Sequence, residues 1–163
     1  MLVFIDTEFT NFPDSEHPNP QLISIGCVTE GGQTFYAENA NFDMAICSEF
    51  VMETVLPFLE GGEVSIPYCI IAKHFKTWIE SIGEEAFMAT DSPAFDFGFV
   101  EVLFKKYGWP ENLYRRPINL NLMHLRELES YESQLEALKA SGKFRDHHAL
   151  DDAKMNLEAY KKI

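Results

Sequence analysis

The amino-acid sequence lacks basic residues over its first part, since no lysine or arginine occurs before Lys73. The 163 residues hold 13 basic and 26 acidic side chains, for a formal net charge of -13. Proteins that coat nucleic acid neutralise its phosphates with Lys and Arg, so this balance argues against a long nucleic-acid-binding groove. Segment 105–145 differs, because it holds 8 basic residues against 5 acids. We expect any anionic partner to approach there.

Cysteines and long apolar runs are also scarce. Cys27, Cys47 and Cys69 are the 3 cysteines, and no two form a CxxC pair, so neither a disulfide framework nor a zinc site is indicated. No stretch reaches the ~18 apolar residues of a membrane span, and the apolar run 1–5 lacks the basic flank of a secretory signal. We therefore expect a cytoplasmic protein with no membrane partner.

What is present is an ordinary globular composition, with 46% hydrophobic and 24% charged residues, and the length predicts a single domain over 1–163. Apolar runs predict strands at 2–5, 21–28, 34–37, 87–90 and 117–120, and helical patterns occur at 49–59, 66–82, 94–107, 121–140 and 148–162. The first strands form a meander and the later ones alternate with helices. The sequence therefore predicts an α/β fold, a mixed five-stranded sheet with helices on both faces.

Two carboxylates, Asp6 and Glu8, follow the first predicted strand. Strand residues at i and i+2 point to the same face, so both side chains should leave the sheet together. Two acids so close raise each other's cost of ionising unless a cation is present. Taken alone, such a pair is more typical of solvated acids at the end of a strand. Its position weakens that interpretation, because a buried strand delivers the pair and other acids recur at strand and helix ends.

Asp96 follows the fourth predicted strand. Pro93 suits the start of a helix, which would place Asp96 in the first turn, near the same edge of the sheet. The alternative is an acid that only complements the helix dipole. Asp91 is a weaker candidate for the site and is expected to be a loop or capping residue.

The last cluster of titratable residues spans 146–152. On the predicted helix, Asp152 falls at the margin of the apolar stripe, whereas Asp151 falls opposite the stripe and should face water. His148 and Asp152 form an i, i+4 pair that could ligate a metal directly, while His147 at the helix start suits a mobile base. The spacing leaves both histidines open, and a solvated pair is the structural alternative.

These residues resemble the signature of a known family. The chain carries, in order, Asp6-Thr7-Glu8, Asp96 and His147-x-Ala149-x-x-Asp152-Ala153. This order is similar to the three motifs of the DEDD 3′–5′ exonucleases in their His-containing (DEDDh) branch, which includes ribonuclease T, oligoribonuclease and small bacterial exoribonucleases. The usual Asn ahead of the second motif is absent, with Asp91 or Ser92 instead. The resemblance implies a ribonuclease H-like fold, and it places the third-motif roles on His147 and Asp152.

The resemblance also implies a chemistry. Asp6, Glu8, Asp96 and Asp152 would hold two Mg²⁺ ions, with Mn²⁺ able to substitute, since carboxylates offer only hard oxygen ligands. His147 would take the proton from the attacking water, a role that histidine suits near neutral pH. The implied reaction releases 5′-mononucleotides from the 3′ end of single-stranded RNA or DNA. The small size of the chain favours RNA, and relatives are often homodimers.

Substrate contacts are expected beside these motifs. Phe9 and Thr10 follow the first motif and Phe95 precedes Asp96, so these residues could meet the terminal bases by stacking or contact. Lys143 and Arg145 lie just before His147 and could meet the phosphate backbone. The structural alternatives are core aromatics and a solvated basic loop.

Three other functions compete with the exoribonuclease. One is a DNA 3′–5′ exonuclease, and another is a noncatalytic nucleic-acid-binding module on the same fold. The third is an acidic cation-binding protein, for which calcium is the natural ion, although the chain lacks a 12-residue calcium loop of the usual spacing.

Overall fold

A computed structural model describes residues 1–163, and its six strands form one mixed sheet. The strands are β1 (Leu2–Phe9), β2 (Leu22–Thr29), β3 (Thr34–Asn39), β4 (Ser65–Ile66), β5 (Phe87–Thr90) and β6 (Ile118–Asn119). Their order across the sheet is β4-β3-β2-β1-β5-β6. β2 runs antiparallel to both β1 and β3, whereas β4 is parallel to β3, and β5 is parallel to β1 and β6. The expected α/β class and mixed sheet are therefore confirmed.

The predicted number of five strands is wrong, because β4 adds a sixth. β4 has only two residues and is followed at once by Pro67, so its sequence carries no strand periodicity. β1 is also longer than the apolar run 2–5 and continues through Phe9. It continues because pairing with β2 satisfies its backbone groups, whatever the polarity of the side chains.

The helices are α1 (Glu49–Thr54), α2 (Tyr68–Ser81), α3 (Asp96–Tyr107), α4 (Leu125–Ala140) and α5 (Ala149–Tyr160). Most are shorter than their apolar patterns suggest. α1 gives way to a 3₁₀ turn that contains Pro57, since proline cannot donate within a helix. α2 begins only after Pro67, because the residue before a proline is restricted to extended backbone, and Ile66 lies in β4. None of the five is both long enough and apolar enough to cross a membrane.

The helices cover both faces of the sheet. Val3 and Ile5 of β1 pack with α2 and α3 in one hydrophobic cluster. Phe4, between them in sequence, points to the opposite face and packs with Tyr131 of α4 and Leu157 of α5 in a second cluster. This alternation follows from the two-residue period of a strand, and it directs Asp6 and Glu8 towards the α5 side.

Gly26 allows α5 to approach the sheet closely. In the register of β1 with β2, Gly26 lies opposite Asp6. A Cβ atom at Gly26 would overlap the backbone of Ala149 and Leu150, the first residues of α5. Only glycine permits this contact, which places the start of α5 beside Asp6.

Candidate metal centre

Four carboxylates from three elements meet in one cleft. Asp6 and Glu8 come from β1, Asp96 is the first residue of α3, and Asp152 lies in the first turn of α5. They line a cavity of about 240 Å³. β1 and β5 are parallel neighbours, so their carboxyl ends reach the same edge of the sheet, and α3 begins just beyond β5.

The carboxylates form two groups that could each hold a cation. Oxygen atoms of Asp6, Glu8 and Asp152 all lie within 4.8 Å of one another, and so do those of Asp6, Asp91 and Asp96. Asp6 belongs to both groups, and every donor in them is a carboxylate oxygen. Such a donor set suits Mg²⁺ or Mn²⁺ better than zinc.

Asp91 belongs to the second of these groups, although its sequence position predicts a loop or capping residue. It does lie in the loop after β5, but its carboxylate lines the cleft beside Asp6. One sequence signal could have identified it, because it directly follows β5, a strand that ends at the same edge as β1.

Burial and mutual repulsion make these acids hold protons when no cation is bound. Burial raises the pKa of Asp6 well above its ordinary value, and the charges of Asp96, Glu8 and Asp152 raise it further. Burial, with the charge of Asp152, raises the pKa of Glu8 to about 8. The pKa of Asp152 rises to about 7, again mainly through burial. A bound cation would displace these protons, so metal binding and proton release are coupled here.

Asp96 is fixed by hydrogen bonds. Its Oδ1 accepts from the Thr7 amide at 3.0 Å and from the Thr7 hydroxyl at 2.7 Å, and its Oδ2 accepts from the Thr90 hydroxyl. Burial raises its pKa to about 7, although the bonds from Thr90 and Thr7 oppose that rise. A carboxylate held on both oxygens has one orientation, which preorganises this side of the cleft.

The structure separates the two histidines. His147 lines the cleft with 36% of its side chain exposed, in a loop just before α5. Its ring meets Phe50 edge-on at 5.0 Å, and its Nε2 lies 3.6 Å from Asp146. His148 does not line the cleft and is buried, with its ring stacked on Tyr36. Of the two, only His147 lies where a base could reach a reacting water.

The expectation that Asp151 faces water is wrong. Asp151 is buried, and its Oδ2 accepts from Arg145 Nε at 2.7 Å. Although burial raises the pKa of Asp151, the hydrogen bonds from Arg145 bring it below its ordinary value. The helical wheel located Asp151 opposite the apolar stripe of α5, but the preceding loop folds over that side and covers it.

Both basic residues expected to meet phosphate are engaged with acids of the chain. Lys143 Nζ lies 2.8 Å from Glu158. Arg145 contacts Asp151 and also Glu60, at 3.1 Å. The only lysine or arginine on the wall of the cleft is Lys139, which sequence reasoning did not single out and which pairs with Asp146.

The aromatic residues near the motifs form one cluster. Phe9 stacks on Phe95 at 4.9 Å, and Phe12 meets both rings edge-on. Phe9 and Phe12 line the carboxylate cleft, whereas Phe95 lines a separate cavity of about 690 Å³. Phe12 is 68% exposed. Thr10 is fully buried, and its hydroxyl is hydrogen-bonded to Asn11 and to the Gln21 amide.

Chemically, the cleft offers a shared carboxylate between two cation-sized groups of oxygen donors, with one histidine and one lysine at its rim. Neither a protein-family model nor a curated protein matches this chain.

The raised pKa values predict a stability that depends on pH and metal. In unfolded chains these acids titrate near pH 4, whereas Asp96 and Asp152 titrate near 7 and Glu8 near 8 in the fold. The contribution of these acids to the free energy of unfolding is therefore full below about pH 4, and it is lost as the pH rises to about 8. At pH 8, Mg²⁺ at ~100 times its Kd should restore about 2.7 kcal/mol, or ~5–10 °C in Tm.

Thermal unfolding with chelator and with Mg²⁺, at pH 5 and pH 8, tests this coupling. The Mg²⁺-dependent rise in Tm should be larger at pH 8, because at pH 5 protons occupy the acids and compete with the ion. The same rise at both pH values would contradict the coupling.

Proposed function

We propose that this protein is a metal-dependent 3′–5′ exonuclease that hydrolyses phosphodiester bonds at the 3′ end of single-stranded nucleic acid and releases 5′-mononucleotides. The observation that carries the proposal is the pair of carboxylate groups that share Asp6, with His147 on the same cleft. Two further features support this chemistry. One is the motif resemblance, and the other is the mixed α/β sheet, which is compatible with the ribonuclease H-like fold that the resemblance implies.

The residues fit a two-ion site. Glu8 and Asp152 would complete one ion's ligands, Asp91 and Asp96 would complete the other's, and Asp6 would bridge. When bound, two divalent ions supply a water of lowered pKa and stabilise the charge on the leaving 3′ oxygen. The raised pKa values of the unmetallated acids are consistent with a site shaped for cations.

His147 has the position of a general base. It is half-exposed at the rim of the cleft, so it can accept a proton from a water held among the carboxylates and pass it to solvent. The Asp146 carboxylate lies 3.6 Å from its Nε2 and also pairs with Lys139.

The charge and size of the site favour binding of only a few nucleotides at one end of a nucleic-acid strand. The cleft is about 240 Å³ in volume, and Lys139 is its one lysine or arginine. With a net charge of -13, the protein has few cations to neutralise a long backbone. The exposed ring of Phe12 could stack on a base at the end of the strand. RNA is the preferred substrate in this proposal, and DNA is the alternative.

Matched 5′-labelled RNA and DNA oligomers, incubated with Mg²⁺, Mn²⁺ or chelator, test the proposal. We expect a ladder that shortens from the 3′ end in either metal, release of 5′-mononucleotides, faster digestion of RNA, and no reaction in chelator. An oligomer with a blocked 3′ end serves as the control and should persist. Metal binding without mononucleotide release would instead favour the cation-binding or noncatalytic alternatives.

A further inference from the structure

The loop that carries His147 has an unusual backbone. His147 has a φ of +61°, and it is the only non-glycine residue of the chain with positive φ. This left-handed conformation is uncommon for residues with a side chain, although histidine adopts it more often than most, and contacts around the loop can offset its cost. The residues on both sides of His147 supply such anchors.

Arg145 anchors the loop to α5. Its backbone amide and its Nε both donate to Asp151 Oδ2, at 3.2 Å and 2.7 Å. Two donors of one residue therefore converge on one acceptor, which fixes the backbone as well as the side chain. Asp151 is buried within α5, so the loop is tied to a rigid element.

Arg145 also reaches a second, distant element. Its Nη1 donates to Glu60 Oε1 at 3.1 Å. The amides of Glu60 and Gly61 in turn donate to the carboxylate of Glu38, at 2.6 Å and 3.0 Å. Glu38 is buried in β3. The guanidinium thus connects the His147 loop to a segment that is itself fixed to the sheet.

His148 anchors the other side of His147. Its Nδ1 accepts from the Asp151 amide at 3.4 Å, and its Nε2 lies 3.4 Å from Glu60 Oε1 without a hydrogen bond. Burial is the main cause that lowers the pKa of His148. His148 is also stacked on Tyr36 at 4.6 Å.

We propose that Arg145, Asp151 and Glu60, here called the Arg145 clamp, are positioning residues that hold His147 over the carboxylate cleft. Arg145 then serves this purpose and does not bind a substrate phosphate. The proposal rests on the proposed function for its kinetic consequences, although the clamp itself is a property of the folded chain.

Arg145→Ala, compared with Lys73→Ala, tests the clamp. Lys73 is a cation exposed on α2 and outside the cleft. For Arg145→Ala we expect kcat on a single-stranded oligomer to fall ~10–100-fold, because a displaced base is poorly aligned. KM and the affinity for Mn²⁺ should stay within about twofold, since neither the ligands nor a substrate contact is removed. Lys73→Ala should resemble wild type.

Hydrogen exchange gives a readout that does not need activity. The amide of residue 145, which donates to Asp151, should exchange faster in Arg145→Ala, whereas the amides of β1 should not change. Glu60→Gln is a second variant, at a half-exposed side chain that can be changed without threatening the fold. It should produce the same pattern with smaller changes.

The outcomes separate the clamp from the function. A rise in KM at unchanged kcat, with a weaker salt dependence, would show that Arg145 binds phosphate, and the clamp proposal would fall. Unchanged exchange of the residue 145 amide would overturn it as well. If wild type digests no oligomer but exchange of this amide rises in Arg145→Ala, the proposed function fails and the clamp stands.

Discussion

Replacing Asp6 with asparagine is expected to lower Mg²⁺-dependent digestion at least ~1000-fold while making the metal-free protein more stable. Asp6 belongs to both carboxylate groups, so its loss weakens both ion sites at once. Charge stabilisation by bound metal supplies several kcal/mol, and ~4 kcal/mol corresponds to about three orders of magnitude in rate. Asp152→Asn, which touches one group only, should have a smaller effect.

The expected gain in stability has the same origin. Burial and the charges of Asp96, Glu8 and Asp152 oppose ionisation of Asp6. Asparagine has nearly the same shape but carries no charge, so above neutral pH it relieves repulsion that only a cation would otherwise balance. Thermal unfolding in chelator at pH 8 should show a higher Tm for Asp6→Asn than for wild type, together with a smaller response to added Mg²⁺.

Glu136→Gln is the matched control, because Glu136 is exposed on α4 and outside the cleft. It should leave both activity and Tm close to wild type. Wild-type digestion by purified Asp6→Asn would remove Asp6 from the metal site and with it the proposed mechanism. A lower Tm in chelator would instead show that the Asp6 carboxylate stabilises the fold.

Some residues that line the cleft can be predicted from the sequence, because the periodicity of a single strand or helix determines the face on which each side chain lies. The two-residue period of a strand places Asp6 and Glu8 on one face, and β1 realises that alternation. The helical period places Asp152 at the margin of an apolar stripe, and Asp152 lines the cleft. Such rules work because they depend only on the element that carries the residue.

Other features depend on contacts between distant segments, and no local pattern encodes them. The same helical wheel predicts Asp151 in water, yet Arg145 covers it and joins it to Glu60, which is 85 residues from Arg145. Strand β4 forms because β3 offers a free edge, although its two residues show no strand pattern. Asp91 joins the cleft because β5 ends beside β1.

The uneven charge acquires a structural meaning through these contacts. Residues Lys139, Lys143 and Arg145 come from the basic segment 105–145, and each is paired with an acid of the chain. These three cations therefore pair within the chain, and Lys139 is the one lysine or arginine that lines the cleft. Two acids from the first part of the chain also have structural roles. Glu38 accepts a hydrogen bond from the Glu60 amide, and the Glu60 carboxylate accepts one from Arg145.

Replacing Gly26 with alanine is expected to cost about 3 kcal/mol or more in the free energy of unfolding and to abolish most activity. The added Cβ would overlap the backbone of Ala149 and Leu150. Backbone atoms cannot rotate aside as a side chain can, so the start of α5 must move, and overpacking of this kind costs ~1–3 kcal/mol or more. Because α5 carries Asp152 and follows His147, the displacement would also separate both from Asp6.

Gly98→Ala is the matched control for Gly26→Ala. Gly98 lies within α3, and a Cβ there meets nothing within 4 Å. This variant should be neutral or more stable by up to ~1 kcal/mol, because alanine favours a helix over glycine. Chemical denaturation and digestion of an RNA oligomer, measured on both variants, give the comparison. A Gly26→Ala protein with wild-type stability and activity would contradict the close packing of α5 on β2, and therefore the juxtaposition of Asp152 and Asp6 that defines the site.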